Sequence, residues 1–148
     1  MRVSEAMSRE VRIASPDQSI AEAAQIMAEI DAGSLPVGEE DRLVGMITDR
    51  DIAIRGVAKN CEPDTKVREV MTPDVKYCFE DEDIAHVARN MGSVQVRRLP
   101  VLNRQKRLVG IVSLGDVATE TQPRHASEAL KKVSESGGMH SQSLAGIR

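Results

Sequence analysis

Apolar positions along the chain follow two periods, and the same succession of them occurs twice. Between Ser19 and Ile30 the residues Ile20, Ala23, Ala24, Met27 and Ile30 recur at helical spacing with no glycine or proline between them. That is the spacing of one helix face, and Gly33 follows as a stop. Shorter runs at Val11–Ala14, Ser34–Val37 and Leu43–Ile47 read as strands, bounded by the polar turns Ser15–Asp17 and Glu39–Asp41. Pro36 cannot donate to a ladder, so it predicts an edge strand or an interrupted one. A second helix is expected from near Asp49, fading by Asn60, which makes the order β-α-β-β-α.

A shift of 64 residues lays the second half on the first, bringing Ile20 onto Ile84 and Pro36 onto Pro100. One extra residue near Lys106 raises the shift to 65. In that register VSEAM (Val3–Met7) answers VREVM (Val67–Met71), IAEAAQIM answers IAHVARNM, and both LPV and RLVG recur. The second copy therefore predicts strand Val75–Phe79, helix Ile84–Met91, strands Arg98–Leu102 and Leu108–Val112, and a helix from Gly115 that Pro123 should end or bend. The expected fold class is α+β, with repeat one over residues 1–62 and repeat two over 63–121, the latter opened by a linker at Pro63–Lys66. A C-terminal helix is expected within 122–136, docking through Ala129, Leu130 and Val133 of its amphipathic part Ala126–Ser134. The remaining tail, 137–148, is rich in Ser, Gly and Gln and reads as disordered.

Composition narrows the chemistry. The 148 residues suffice for one ordinary domain or for two half-sized repeats sharing a core. With one Phe, one Tyr and no Trp, that core must be aliphatic, and Met27 and Met91 read as core filler. An aromatic platform for single-stranded nucleic acid is missing, and a net charge of −3 gives no overall pull toward nucleic acid or an anionic membrane. The sequence shows no signal peptide and no apolar run of membrane-spanning length, so the expected location is the cytoplasm. Cys61 and Cys78 form no CxxC pair and read as reduced structural thiols; His86, His125 and His140 are scattered and suggest no metal site. Arg104, Lys106 and Arg107 read as a solvated turn. Neither a P-loop nor a nucleophile with a neighbouring base appears, which reads against an enzyme.

The stretch that invites chemistry is VGMITDRDIAI, Val44–Ile54, which returns as VGIVSLGDVA, Val109–Ala118. In each copy a strand runs into a hydroxyl residue followed three positions later by an aspartate: Thr48 with Asp51, and Ser113 with Asp116. One reading is a helix cap, in which the hydroxyl accepts a first-turn amide and the acid reaches back. The other is a seat for a sugar-phosphate, with amides facing phosphate and the carboxylate gripping ribose hydroxyls. Both stay open.

These residues resemble a tandem pair of cystathionine β-synthase (CBS) domains, the Bateman module, over about Met1–Thr121. The likeness is carried by the element order, the two LPV strands, and the pattern GhhTxxD (h, apolar) as GMITDRD at Gly45–Asp51 and GIVSLGD at Gly110–Asp116. The resemblance implies repeats packed about a pseudo-two-fold axis, with clefts for AMP, ADP, ATP, NAD or S-adenosylmethionine as ligand and no required cofactor. Asp51 and Asp116 would then hold ribose hydroxyls, and Thr48 and Ser113 would sit at phosphate or ribose. Ala32, Gly33 and Ser34, and likewise Val96, Arg97 and Arg98, would line the purine or reach phosphate. Met46, Arg50, Ile111 and Gly115 complete the expected ligand-binding set. Phosphate is expected to prefer Arg97 and Arg98, with Asp51 as ribose partner, against the plain alternative of a solvated strand end. Asp49 would repel phosphate unless Arg50 neutralises it. The function so implied is a regulatory binding module acting on a separate effector protein, expected as a two-fold homodimer. The alternative is a stress-related interaction or structural protein with empty clefts.

Overall fold

The computed structural model of the chain describes residues 1–120 and 123–135. Repeat one carries α1 (Val3–Ala6), α2 (Ile20–Ile30), β1 (Ser34–Glu39), β2 (Arg42–Thr48) and α3 (Asp49–Asp51). Repeat two carries α4 (Val67–Val70), β3 (Cys78–Phe79), α5 (Ile84–Val94), β4 (Arg98–Leu102), β5 (Leu108–Ser113) and α6 (Leu114–Glu120), and α7 (Pro123–Val133) follows. The fold is α+β, as the pattern predicts.

The long helices start and stop where local chemistry dictates. Ser19 Oγ accepts the Glu22 amide at 3.0 Å to open α2, and Asp83 Oδ2 accepts the Ala85 amide at 3.1 Å to open α5. Both end on a left-handed residue at equivalent positions, Asp31 (φ 52°) and Gln95 (φ 58°). The stop of α2 is thus Asp31 rather than Gly33. Helix α5 runs a turn past the expected Met91, because α7 packs along it: a Cβ at buried Gly92 would lie 3.3 Å from Ala129 Cα.

Other expectations are corrected. Strand Val11–Ala14 shrinks to one parallel bridge, Ala14 with Val37, and strand Val75–Phe79 shrinks to Cys78–Phe79, paired with Val101 and Leu102. These segments meet the sheet for only a residue or two, too little for the spacing of apolar residues to delimit. The helix expected over Asp49–Asn60 is α-helical for its first turn, widens to a π-helix over Ile52–Gly56 and tightens to 3-10 over Val57–Lys59. Pro123 is the first residue of α7, a position at which its missing N–H costs nothing. Of the three docking residues expected on α7, Ala129 is buried and Val133 half-buried, but Leu130 is exposed. Gln95 Nε2 closes the end of α7 by donating to the carbonyls of Lys132 (3.0 Å) and Glu135 (2.9 Å). The tail 137–148 lies outside the described residues. Arg104 is not merely solvated: it pairs with Asp81 at 2.7 and 2.9 Å and lies 4.1 Å from the Phe79 ring centroid.

Two compact units divide the chain elsewhere than the sequence repeats do. The repeat-one unit holds Arg12–Val75 with Lys106–Leu108; the repeat-two unit holds Met1–Val11, Lys76–Gln105 and the described residues from Val109 on. The lead-in helices are therefore exchanged. In the repeat-two unit, the Val3 amide donates to Glu82 O and the Ile84 amide to Met1 O, both at 2.9 Å, and Val3 and Met7 join a core with Val87, Met91 and Val101. In the repeat-one unit, the Val67 amide donates to Gln18 O and the Ile20 amide to Thr65 O, both at 2.8 Å, and Val67 and Val70 join Ile20, Met27, Leu35 and Ile47. Pro63–Lys66 is thus a pinned segment, not a loose linker. Each fully buried valine contributes about 1.5–3 kcal/mol, so the lead-ins, one with Val3 and Met7 and the other with Val67 and Val70, are held by packing rather than by their single helical turns.

Where each lead-in ends, it crosses the strand that begins the GhhTxxD motif. Met46 and Thr72 exchange amide-to-carbonyl bonds at 2.9 and 2.8 Å, and Ile111 and Ser8 do so at 2.9 Å both ways. The motif glycines sit at the crossing. A Cβ at Gly45 would lie 2.9 Å from Thr72 O, and one at Gly110 would lie 2.7 Å from Ser8 O.

Candidate functional site

Both hydroxyl–acid pairs form reciprocal caps. The Thr48 amide donates to Asp51 Oδ2 and the Asp51 amide to Thr48 Oγ1, each at 3.0 Å. The Ser113 amide donates to Asp116 Oδ2 at 2.8 Å and the Asp116 amide to Ser113 Oγ at 3.1 Å. The capping reading is therefore realised twice. It uses one oxygen of each carboxylate. Asp51, with its side chain 15% exposed, has its other oxygen 3.9 Å from Arg55 Nε, and Asp116 is half-buried.

A second backbone bond joins each cap to the loop before the LPV strand. The Asp49 amide donates to Gly33 O at 2.9 Å, and the Leu114 amide donates to Arg97 O at 3.0 Å. Ser34 stands opposite Thr48 in the antiparallel β1–β2 ladder. The predicted residues thus gather as two matching groups, each within one unit: Ala32–Ser34 with Met46, Thr48, Arg50 and Asp51, and Val96–Arg98 with Ile111, Ser113, Gly115 and Asp116. Arg97 and Asp51, paired in the sequence reading, belong to different units. Val96 packs toward the core of its own unit, while Met46 and Ile111 lend their backbones to the lead-in crossings.

The two groups differ in charge. Arg97 and Arg98 are exposed, and among the described residues neither has an ion-pair partner. In repeat one the same places hold Gly33 and Ser34, and the space above Gly33 is filled by Asp49: a Cβ there would lie 2.8 Å from Asp49 Oδ2. Asp49 Oδ1 accepts the Arg50 amide at 2.8 Å. Sequence reasoning singled out Asp49 but passed over Leu114, which the 65-residue shift places at the same position. Among the described residues no group of three or more His, Cys, Asp and Glu is placed to hold a metal ion.

The CBS domain family model matches the chain twice, over residues 3–56 and 67–121. The chain belongs to the CBS domain family. Among curated relatives, Hypoxic response protein 1 of Mycobacterium tuberculosis is 41% identical over 111 residues, 74% of this chain and 76% of that protein. The crystal structure of Hypoxic Response Protein I, with two coordinated zinc ions, matches with a TM-score of 0.75 and 36% identity, covering 82% of this chain and all of that one. The CBS pair of MJ0100, in complex with 5′-methylthioadenosine and S-adenosylmethionine, matches with a TM-score of 0.71 and 34% identity, over 80% of this chain and 94% of that one. CBSX2 in complex with AMP matches at 0.70 and 25%, over 80% of this chain and 93% of that one.

Proposed function

We propose that this CBS pair is a regulatory module that binds adenosine-containing ligands, with Asp51 and Asp116 receiving ribose hydroxyls. The observation that carries the reading is the double bonding of each motif: the cap fixes the carboxylate, and the amide-to-carbonyl bond sets it beside the loop before LPV. A carboxylate offers about four acceptor positions, and the cap consumes one oxygen's share, so the second oxygen can accept from vicinal hydroxyls. Arg97 and Arg98 supply the charge that a phosphate needs. The adenosyl compounds held by MJ0100 and CBSX2 support the same ligand class here. The module performs no chemistry: a ligand that binds one packing arrangement better than another shifts the balance between them. We place it in the cytoplasm as a homodimer answering to adenine nucleotide, NAD or S-adenosylmethionine and passing the signal to an effector protein.

Thermal melting with and without millimolar AMP, ATP, NAD, adenosine and S-adenosylmethionine tests this. At a hundred times its Kd a ligand adds about 2.7 kcal/mol, a rise of several degrees. The rise should vanish in Asp51→Asn/Asp116→Asn, in which the amide oxygen still accepts the capping N–H while the charge is gone. No rise with any compound would leave the empty-cleft interaction protein as the better reading.

A further inference from the structure

At the position where repeat two carries Arg97, repeat one carries Gly33, and where repeat two carries Leu114, repeat one carries Asp49. The backbone is the same in both, one amide-to-carbonyl bond of 2.9 or 3.0 Å joining the two positions. Only the side chains differ: arginine and leucine in one copy, a carboxylate over a bare glycine in the other. The Asp49 carboxylate occupies the room that any side chain at Gly33 would need, and its Oδ1 is anchored on the Arg50 amide. It is exposed, and among the described residues no cation lies within ion-pair distance of it. A ribose held at Asp51 and reaching the Ala32–Ser34 edge must therefore pass a fixed negative charge.

We propose that Asp49 makes the repeat-one site selective for adenosyl compounds whose 5′ group is uncharged or cationic, leaving phosphate-bearing compounds to the position of Arg97 and Arg98. The inference rests on the adenosine-binding reading and names the ligand class of one of its two sites. A 5′-phosphate near Asp49 meets like charge that water only partly screens, whereas a hydroxyl, thioether or sulfonium meets an acceptor or a counter-charge. Arg50, next in sequence, offsets part of the repulsion, so the contrast is one of degree.

Amide NMR titrations of the full chain with adenosine and with AMP resolve the sites, the Arg50 and Asp51 signals reporting repeat one and the Gly115 and Asp116 signals repeat two. In the unaltered chain adenosine should bind repeat one about tenfold or more tighter than AMP, with the gap narrowing as salt rises. Asp49→Asn should raise AMP affinity at repeat one until the gap closes, leaving adenosine unchanged, because the amide oxygen can still accept the Arg50 N–H. Asp49→Leu, which copies the residue of repeat two, should likewise raise AMP affinity at repeat one, adenosine losing only the acceptor at its 5′-hydroxyl, and it guards against a local disturbance by the amide. Equal binding of the two compounds by the unaltered repeat-one site, or a gap untouched by both substitutions, overturns the role of Asp49 and leaves adenosine binding standing. Titrations in which neither compound moves any of the four signals overturn both.

Discussion

Helices α2 and α5 are copies of one another, yet they meet different fates. Ala24 and Ala28 of α2 are exposed, whereas Ala88 and Gly92, their counterparts on α5, are buried. The difference is α7, which lies on α5. The helix starts after β2 and β5 diverge in the same manner: capped alike and tethered alike, they carry Asp49 over Gly33 in one copy and Leu114 with Arg97 in the other. Backbone hydrogen bonds are obligatory when buried and so persist through a duplication. Side chains outside the core are released from that demand, and they are where the copies can acquire different ligands or neighbours.

The deepest likeness lies at the motif glycines, and substitution there should have the largest effect. Gly110→Ala and Gly45→Ala each press a methyl onto a carbonyl of the crossing lead-in, Ser8 O or Thr72 O. Each should cost about 3 kcal/mol, read as a melting temperature about ten degrees lower. A loss confined to one of the two would mean that the crossings are not equivalent.

The caps come next. Thr48→Ala and Ser113→Ala each remove one acceptor for a first-turn amide, and each should cost about 1 kcal/mol in chemical denaturation. Unequal losses would show that the π-helix after Asp51 makes repeat one more dependent on its cap than the regular α6 makes repeat two.

The smallest effect separates the units by reactivity rather than by stability. Burial, with Glu82 adding to it, pushes the Cys78 thiol up to about 12, while Cys61 is half-buried. Because the thiolate is the reactive form, a disulfide reagent at pH 8 should modify one thiol per native chain, at Cys61, and two after unfolding. Rapid modification of both in the native protein would show that the repeat-two core opens easily.

The order α-β-β-α common to both repeats, the span of α2, the LPV strands and both caps were legible in the residues, because each rests on spacing or hydrogen bonds within a few positions. The shift of 64 and then 65 residues even aligned Asp49 with Leu114, a contrast open to anyone who compared the copies side by side. Strand Val11–Ala14 is not a strand, since only Ala14 is buried there, Ile13 stays exposed, and the segment meets the sheet through a single bridge.

The sequence by itself determined that a half-domain is present twice and where its helices begin. The tertiary structure alone decided which lead-in serves which copy. Val3–Met7 and Val67–Met71 have nearly the same local pattern, so nothing within either says that the first packs with Ile84 and Val101 and the second with Ile20 and Leu35. It also decided that α7 covers α5 and that the Asp49 carboxylate closes over Gly33. Local elements are set by contacts between near neighbours along the chain, whereas the choice among distant partners is made by shape and burial, which exist only once the chain has folded.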